Sequence, residues 1–168
     1  MLTDVPGILL TSFYADCVPL YFYDHVKQVI GLAHAGWKGT VLGIASDMVN
    51  KMKEAYGCDI RDIRAAIGPS IGACCYEVDE KVMSHVYELE KGIMGNNEYT
   101  GAWYQNKDNG KSMLNLKEMN RHIMMKAGIL PTHIECTTWC TSCRNDLFFS
   151  YRKDGGITGR MASWIGLK

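Results

Sequence analysis

The sequence predicts an α/β fold built on a mixed β-sheet. Short apolar runs rich in β-prone residues alternate with segments whose apolar residues recur at helical spacing. Two of the strands are separated by only a few residues, as in a β-hairpin. No linker, charge block or internal repeat divides the 168 residues, and a chain of this length can bury about 70% of the surface that it exposes when unfolded. We therefore expect residues 1–168 to form one α/β domain.

The N-terminal part of the chain predicts the hairpin. Residues 7–23 are apolar and β-prone, with an interruption at Ala15-Asp16, and residues 29–33 form a second apolar run. We expect these strands to be joined by a turn at 24–27.

The next apolar pattern predicts a helix over residues 41–56, with Gly57 as its stop signal. A run rich in glycine, asparagine and lysine predicts a surface loop over 92–112. The remaining predicted elements are a strand at 63–67, helices at 78–90 and 114–127, and strands at 134–138, 148–152 and 160–165.

Composition and charge exclude several classes of partner. Lys plus Arg and Asp plus Glu number 18 each, so the net charge is zero and there is no basic field to bind nucleic acid or an anionic membrane. No apolar run approaches the roughly 20 residues of a membrane span. Residues 1–7 lack the features of a secretory signal. We expect a cytoplasmic protein that acts on a small molecule, and the composition leaves a homo-oligomer open.

The seven cysteines are an odd number, which favours free thiols or metal ligands over a disulfide framework. Cys136, Cys140 and Cys143 have the C-x3-C-x2-C spacing of radical S-adenosylmethionine enzymes, but those enzymes build a large barrel after the motif. We favour packed thiols, with a cysteine-only zinc site as an alternative. The adjacent Cys74-Cys75 would point to opposite faces of a strand, so we expect at most one of them to reach a pocket.

Cys17 and His34 are the strongest candidates for a metal site. A hairpin centred on the His25–Val26 bond pairs residues whose numbers add to 51, which places Cys17 opposite His34. A thiolate and an imidazole at that separation can bind one metal ion. The alternatives are a buried apolar cysteine with an ordinary strand histidine, and a cysteine nucleophile with its histidine base.

Further candidates lie near this pair or close to the C-terminus. Arg152 and Arg160 present guanidinium groups that suit phosphate or a carboxylate, although both could be solvated charges beside a hairpin. Trp37 and Tyr151 could stack on an aromatic base, or belong to the core. Asp16, next to Cys17, is a candidate acid or base, with a capping carboxylate as the alternative.

Four motifs in a fixed order resemble the laccase-domain family, which is also called the polyphenol oxidase or purine nucleoside phosphorylase family. They are YADCVP at 14–19, AHAGWKGT at 33–40, IGPSIG at 67–72, and SYR at 150–152 with TGRM at 158–161. The resemblance covers essentially the whole chain. It adds Gly68, in the third motif, as a candidate for close approach to substrate.

The resemblance implies a four-layer α/β/β/α sandwich and a zinc site of two histidines and one cysteine, of which Cys17 and His34 match two. In the family, the other histidine and a phosphate-binding arginine lie upstream of the matched motifs. We therefore expect a chain that lacks the family's N-terminal segment, with a partner or a local residue such as His25 supplying the third ligand.

The resemblance also implies a function. The leading hypothesis is a zinc-dependent purine nucleoside enzyme that catalyses phosphorolysis of adenosine, inosine or guanosine and deamination of adenosine. The first alternative is copper-dependent oxidation of phenols, as in a laccase, although five histidines without a His-x-His pair argue against a multicopper centre. The others are a Cys-His hydrolase and an inactive, truncated homologue.

Overall fold

A five-stranded mixed sheet lies at the centre of the computed structural model, which describes residues 1–94 and 103–168. The strands in these residues are β1 (Leu2–Thr3), β2 (Leu9–Tyr14), β3 (Val18–Asp24), β4 (Val29–Ala35), β5 (Ile63–Ile67), β6 (Glu77–Val78), β7 (Tyr104–Asn106), β8 (Ser112–Leu114), β9 (Ile134–Cys136) and β10 (Met161–Gly166). The central sheet has the order β1-β4-β3-β5-β9, and only its β5–β9 pair is parallel. Two smaller antiparallel sheets have the orders β10-β2 and β6-β8-β7. The predicted mixed α/β class is confirmed.

The helices agree with the predicted segments except at one break. They are α1 (Trp37–Val41), α2 (Ile44–Tyr56), α3 (Glu80–Met94) and α4 (Leu116–Lys126). The single helix predicted over 41–56 begins earlier and is interrupted by Gly43, whose φ of 79° lies in the left-handed region that favours glycine. Gly57 ends α2 in the same conformation, as predicted. In the described part of the chain, no helix is both long enough and apolar enough to span a membrane.

The hairpin of β3 and β4 forms, but its predicted register is wrong. Asp24 pairs with Val29, so the numbers of paired residues add to 53 and not to 51. The reason is the Asp24 side chain, whose Oδ1 accepts hydrogen bonds of 2.8 Å from the backbone N–H groups of Val26 and Lys27. This local bonding stabilises a four-residue turn at 25–28 in which Gln28 adopts a positive φ of 53°.

The prediction of a strand at 148–152 is also wrong. These residues form turns and irregular structure, because the Ser150 hydroxyl bonds to Asp16 and also accepts from the Lys153 N–H. Part of the loop predicted over 92–112 falls on residues 95–102, which lie outside the described residues, and another part contains β7 and the start of β8. The strands predicted at 63–67, 134–138 and 160–165 and the helices at 78–90 and 114–127 are confirmed as β5, β9, β10, α3 and α4, with end shifts of a few residues.

The central sheet separates two apolar cores. Val18, Leu20 and Phe22 point from β3 into the larger core, which includes side chains of α2 and α4. Tyr21 and Tyr23 point the other way, towards Leu10 of β2 and Ile165 of β10. The described layers are therefore helices, the five-stranded sheet and the β2–β10 sheet. The outer face of the β2–β10 sheet is open, with Phe13 61% and Trp164 62% exposed, and the fourth layer stays a prediction.

Two glycine substitutions are expected to change stability in opposite directions. A Cβ on Gly68 would lie 2.8 Å from Pro19 Cγ and 3.2 Å from Tyr21 Cε2, two ring atoms with little freedom to move. We expect Gly68→Ala to lower the free energy of unfolding by about 2 kcal/mol. Gly92 lies within α3, and an added Cβ would have no atom of the described residues within 4 Å, so Gly92→Ala should raise that free energy by about 0.5 kcal/mol. Urea unfolding of both variants tests this pair, and equal midpoints would contradict it.

Candidate active site

The loop between β2 and β3 lines a pocket of about 230 Å³ at the edge of the central sheet where β3 begins and β4 ends. Four of the eight predicted site residues meet here: Asp16, Cys17, Tyr151 and Arg152. The other lining residues are Ala15, Ile71, Tyr76 and Leu116. The tertiary structure thus brings the first and the last of the four motifs together.

Asp16 is buried and links three segments of the chain. Its Oδ2 accepts hydrogen bonds from Thr141 Oγ1 at 2.8 Å and from Ser150 Oγ at 2.5 Å. Its backbone carbonyl accepts from the Ile71 N–H at 3.0 Å. These contacts position the chain that leads into Tyr151 and Arg152. An acid or base role for Asp16 stays a prediction.

Cys17 and His34 lie on one face of the hairpin but are not directly opposite each other. His34 pairs with Pro19, and Cys17 lies beside Gly36, where an added Cβ would be 2.9 Å from the Cys17 Sγ. A shift of two residues in register keeps both side chains on the same face, as diagonal neighbours. The exposed imidazole of His34 packs on the ring of Tyr14, with 4.5 Å between the ring centroids.

The donor types of this pair suit zinc or copper, but the described residues do not complete a catalytic site. Such zinc sites have three protein ligands, and no group of three or more metal-binding side chains in the described residues includes Cys17 or His34. His25 cannot substitute, because it lies in the turn at the other end of β3, about 20 Å along the strand. Its Nδ1 is 3.2 Å from the Asp62 carbonyl oxygen.

The ionisable groups around the pocket favour their neutral forms. Burial and the nearby Asp16 raise the pKa of the Cys17 thiol, and partial desolvation lowers the pKa of His34. Burial, followed by the charge of Cys17, raises the pKa of Tyr76 to about 12. A cysteine nucleophile needs a lowered thiol pKa, so these shifts oppose the alternative of a Cys-His hydrolase.

Arg152 lines the pocket and is held on two sides. Its Nη1 donates to the Glu77 carbonyl at 2.8 Å, and its guanidinium carbon lies 5.2 Å from the centroid of the Tyr76 ring. It also lines an adjacent depression of about 430 Å³ together with Trp37 and Lys111. Trp37 therefore lies next to the pocket and not in its wall. Tyr76 was absent from the predicted site, and its only sequence signal is its place just after the third motif.

Two further candidates lie apart from the pocket. Arg160 donates from Nη1 to the carbonyl groups of Thr158 and Gly159, so the described contacts tie it to its own loop. Gly68 donates its N–H to the Pro19 carbonyl at 3.0 Å and packs against the Pro19 ring. The close contact that requires a glycine at position 68 is thus with side chains of β3. A role for Gly68 in substrate binding stays a prediction.

Four cysteines from two distant parts of the chain converge near the pocket, and we call them the four-cysteine cluster. Its members are Cys74, Cys75, Cys140 and Cys143. The prediction that Cys74 and Cys75 diverge is wrong, because residues 73–75 form a turn and not a strand. Cys136 lies in β9 outside the cluster, so the C-x3-C-x2-C spacing does not define a common site.

Comparison with known proteins agrees with the four motifs. The whole chain, residues 1–168, matches the family described as multi-copper polyphenol oxidoreductase laccase. The chain belongs to this family.

Among its relatives, the purine nucleoside phosphorylase YlmD of Bacillus subtilis is 44% identical over 167 residues, which are 99% of this chain and 57% of the relative. The human purine nucleoside phosphorylase LACC1 is 35% identical over an alignment of 170 positions, which covers 99% of this chain and 37% of the relative. The chain thus spans little more than half the length of the bacterial relative and less of the human one.

Two solved structures share the fold closely. The hypothetical protein YfiH of Bacillus licheniformis superposes with a TM-score of 0.92 at 46% identity, and YlmD of Geobacillus stearothermophilus with 0.91 at 41%. Each comparison covers 99% of this chain and 60% of the solved chain. The described layers therefore correspond to part of a larger fold in both neighbours.

Proposed function

We propose that this chain binds a purine nucleoside and phosphate and takes part in phosphorolysis of the nucleoside. The observation that supports this most is the meeting of Asp16, Cys17, Tyr151 and Arg152 in one pocket. The relatives YlmD and LACC1 are both named purine nucleoside phosphorylase, which points to the same substrate class.

Phosphorolysis sets requirements that the pocket residues suit. A phosphate oxygen forms a bond to C1′ of the ribose, the bond between C1′ and the purine nitrogen breaks, and the purine leaves with the electron pair and takes up a proton. The site must therefore hold an anion next to the sugar and orient the base. Arg152 uses Nη1 for the Glu77 carbonyl, and a guanidinium has five N–H donors in all. Its other donors can bind phosphate in the bidentate geometry that guanidinium groups favour.

The aromatic residues suit the base. Tyr76 and Tyr151 both line the pocket, and Tyr151 is more than half exposed. A purine ring can stack on such a face, and stacked aromatic pairs contribute about 0.5–1.5 kcal/mol beyond the buried area. We assign base contact to these tyrosines and phosphate contact to Arg152.

The proposal also includes metal dependence and deamination of adenosine. Their support is the family resemblance together with the Cys17 and His34 pair, which supplies two of the three ligands of such a zinc site. Because the described residues do not supply the third ligand, we assign no chemical step to a metal ion here.

The proposal is tested by measuring release of free purine from inosine and adenosine. We expect release only when phosphate is present, and a loss of at least about 10- to 100-fold for Cys17→Ser. Cys136→Ser, at an exposed cysteine in β9, is the matched control and should leave release unchanged. Purine release without phosphate would contradict phosphorolysis, and full activity of Cys17→Ser would contradict the assignment of the pocket.

A further inference from the structure

The four-cysteine cluster lies between two turns that lead into the candidate active site. Cys143 Sγ is 3.5 Å from Cys74 Sγ and 3.4 Å from Cys75 Sγ, and all four sulfur atoms lie within 4.8 Å of one another. Cys140 is buried, whereas the other three are partly or largely exposed. None of these cysteines belongs to the Cys17 and His34 pair.

The spacing of the sulfurs fits one tetrahedral metal ion. A zinc ion with four thiolate ligands at about 2.3 Å places the sulfurs about 3.8 Å apart. The two shortest separations given above are a few tenths of an ångström below that value, and all the others lie within 4.8 Å, a spacing that suits ligands of one ion. Four protein ligands close the coordination sphere, as in structural zinc sites and unlike catalytic ones.

The backbone around the cluster is shaped for sulfur ligands. The Gly72 N–H donates to Cys140 Sγ at 3.2 Å. A Cβ on Gly72 would lie 3.3 Å from Cys74 Sγ and 3.4 Å from Cys140 Sγ, so a side chain at position 72 would crowd the cluster. A backbone N–H directed at a sulfur stabilises its thiolate form, as in other metal sites where outer groups support the ligands.

A buried lysine lies close to the four-cysteine cluster. Lys117 is only 8% exposed, and its Nζ donates to the carbonyl oxygens of Thr137 at 3.0 Å and Trp139 at 2.8 Å. Burial lowers the pKa of Lys117, and the nearby sulfurs of Cys136, Cys140 and Cys74 act in the opposite direction. Buried cations are normally paired, and four thiolates around a divalent ion carry a net charge of −2. A metal-bound cluster would therefore give Lys117 its counter-charge.

We propose that the four-cysteine cluster binds one zinc ion as a structural site, separate from the Cys17 and His34 pair. The ion would join the turn before Tyr76 to the turn that leads towards Tyr151 and Arg152, and so hold the walls of the candidate pocket together. The proposal concerns metal binding alone and does not depend on the proposed function, because zinc content is measured without turnover.

The first test is the zinc content of protein purified without added metal. The double variant Cys17→Ser/His34→Ala removes the other candidate ligands and should retain one zinc ion per chain. Adding Cys143→Ser to it should reduce zinc to background, whereas adding Cys136→Ser, the matched control, should not. Retention of zinc by the variant lacking Cys143 would overturn the proposal.

A second measurement avoids cluster substitutions that could impair folding. Zinc in the Cys17→Ser/His34→Ala variant is replaced by cobalt, and we expect thiolate-to-cobalt charge transfer in the near ultraviolet and the strong visible bands of tetrahedral cobalt. The absence of these bands would overturn the proposal. Thiol counts before and after reduction give a second check. If the unreduced protein has two free thiols fewer than the reduced protein, the cluster holds a disulfide and the proposal is overturned.

Discussion

Asp16→Ala is expected to lower the free energy of unfolding by about 3 kcal/mol, since a hydrogen bond to a charged group contributes about 1.5–3 kcal/mol and two are lost. The carboxylate accepts from Thr141 and Ser150, and both hydroxyl groups are fully buried. Removing Asp16 therefore leaves two buried donors without this acceptor. Urea unfolding monitored by circular dichroism measures the effect.

A variant that removes only one hydrogen bond to Asp16 separates the contributions of the two bonds to stability. Ser150→Ala removes one of the two hydrogen bonds to Asp16 and should cost about 1.5 kcal/mol. In a double-mutant cycle, Asp16→Ala and Ser150→Ala should be non-additive, because they share a contact. Additive effects, or an Asp16→Ala variant as stable as the unchanged chain, would mean that Asp16 does not link these segments. Turnover by the Asp16→Asn variant then distinguishes an acid or base role from positioning, since the amide can still accept hydrogen bonds through its oxygen.

Arg152→Ala is expected to raise the KM for phosphate by roughly 10- to 100-fold, the equivalent of one charge-assisted contact. Arg160→Ala is the matched control, because Arg160 also belongs to the C-terminal motif but donates to its own loop. We expect its KM for phosphate to change little. Steady-state kinetics with varied phosphate and saturating inosine measure both constants.

Arg152→Lys refines this prediction. Lysine keeps the positive charge but lacks the planar fork of the guanidinium, so it should restore only part of the affinity for phosphate. An increase in KM for phosphate in Arg160→Ala as large as that in Arg152→Ala would contradict the assignment. An Arg152→Ala variant that changes only the KM for inosine would place Arg152 at the nucleoside instead.

The correct predictions from the sequence rest on local patterns. A short apolar run located β5, and helical apolar spacing located α2 and α4, because such spacing determines which face of a helix is buried. Gly57 ended α2 because its left-handed conformation is accessible to glycine without strain. Family membership followed from four short motifs, which are properties of the sequence and need no coordinates.

The errors arose where a side chain bonded outside its own strand. Asp24 bonds to the backbone of its turn and moves the hairpin register by two residues. Ser150 bonds to Asp16, which lies 134 positions earlier, and its segment forms turns where a strand was expected. The face shared by Cys17 and His34 survived only because the register error was an even number of residues.

The sequence by itself determined the fold class, most of the elements and the family, since each depends on the order of residues within short windows. Only the tertiary structure decided the composition of the two cysteine sites. It placed Cys74 and Cys75 beside Cys140 and Cys143 across more than sixty positions, and it separated Cys136 from them. The physical reason is that metal-ligand geometry depends on distances of a few ångströms, and those distances are set by how turns from different strands meet at the edge of the central sheet.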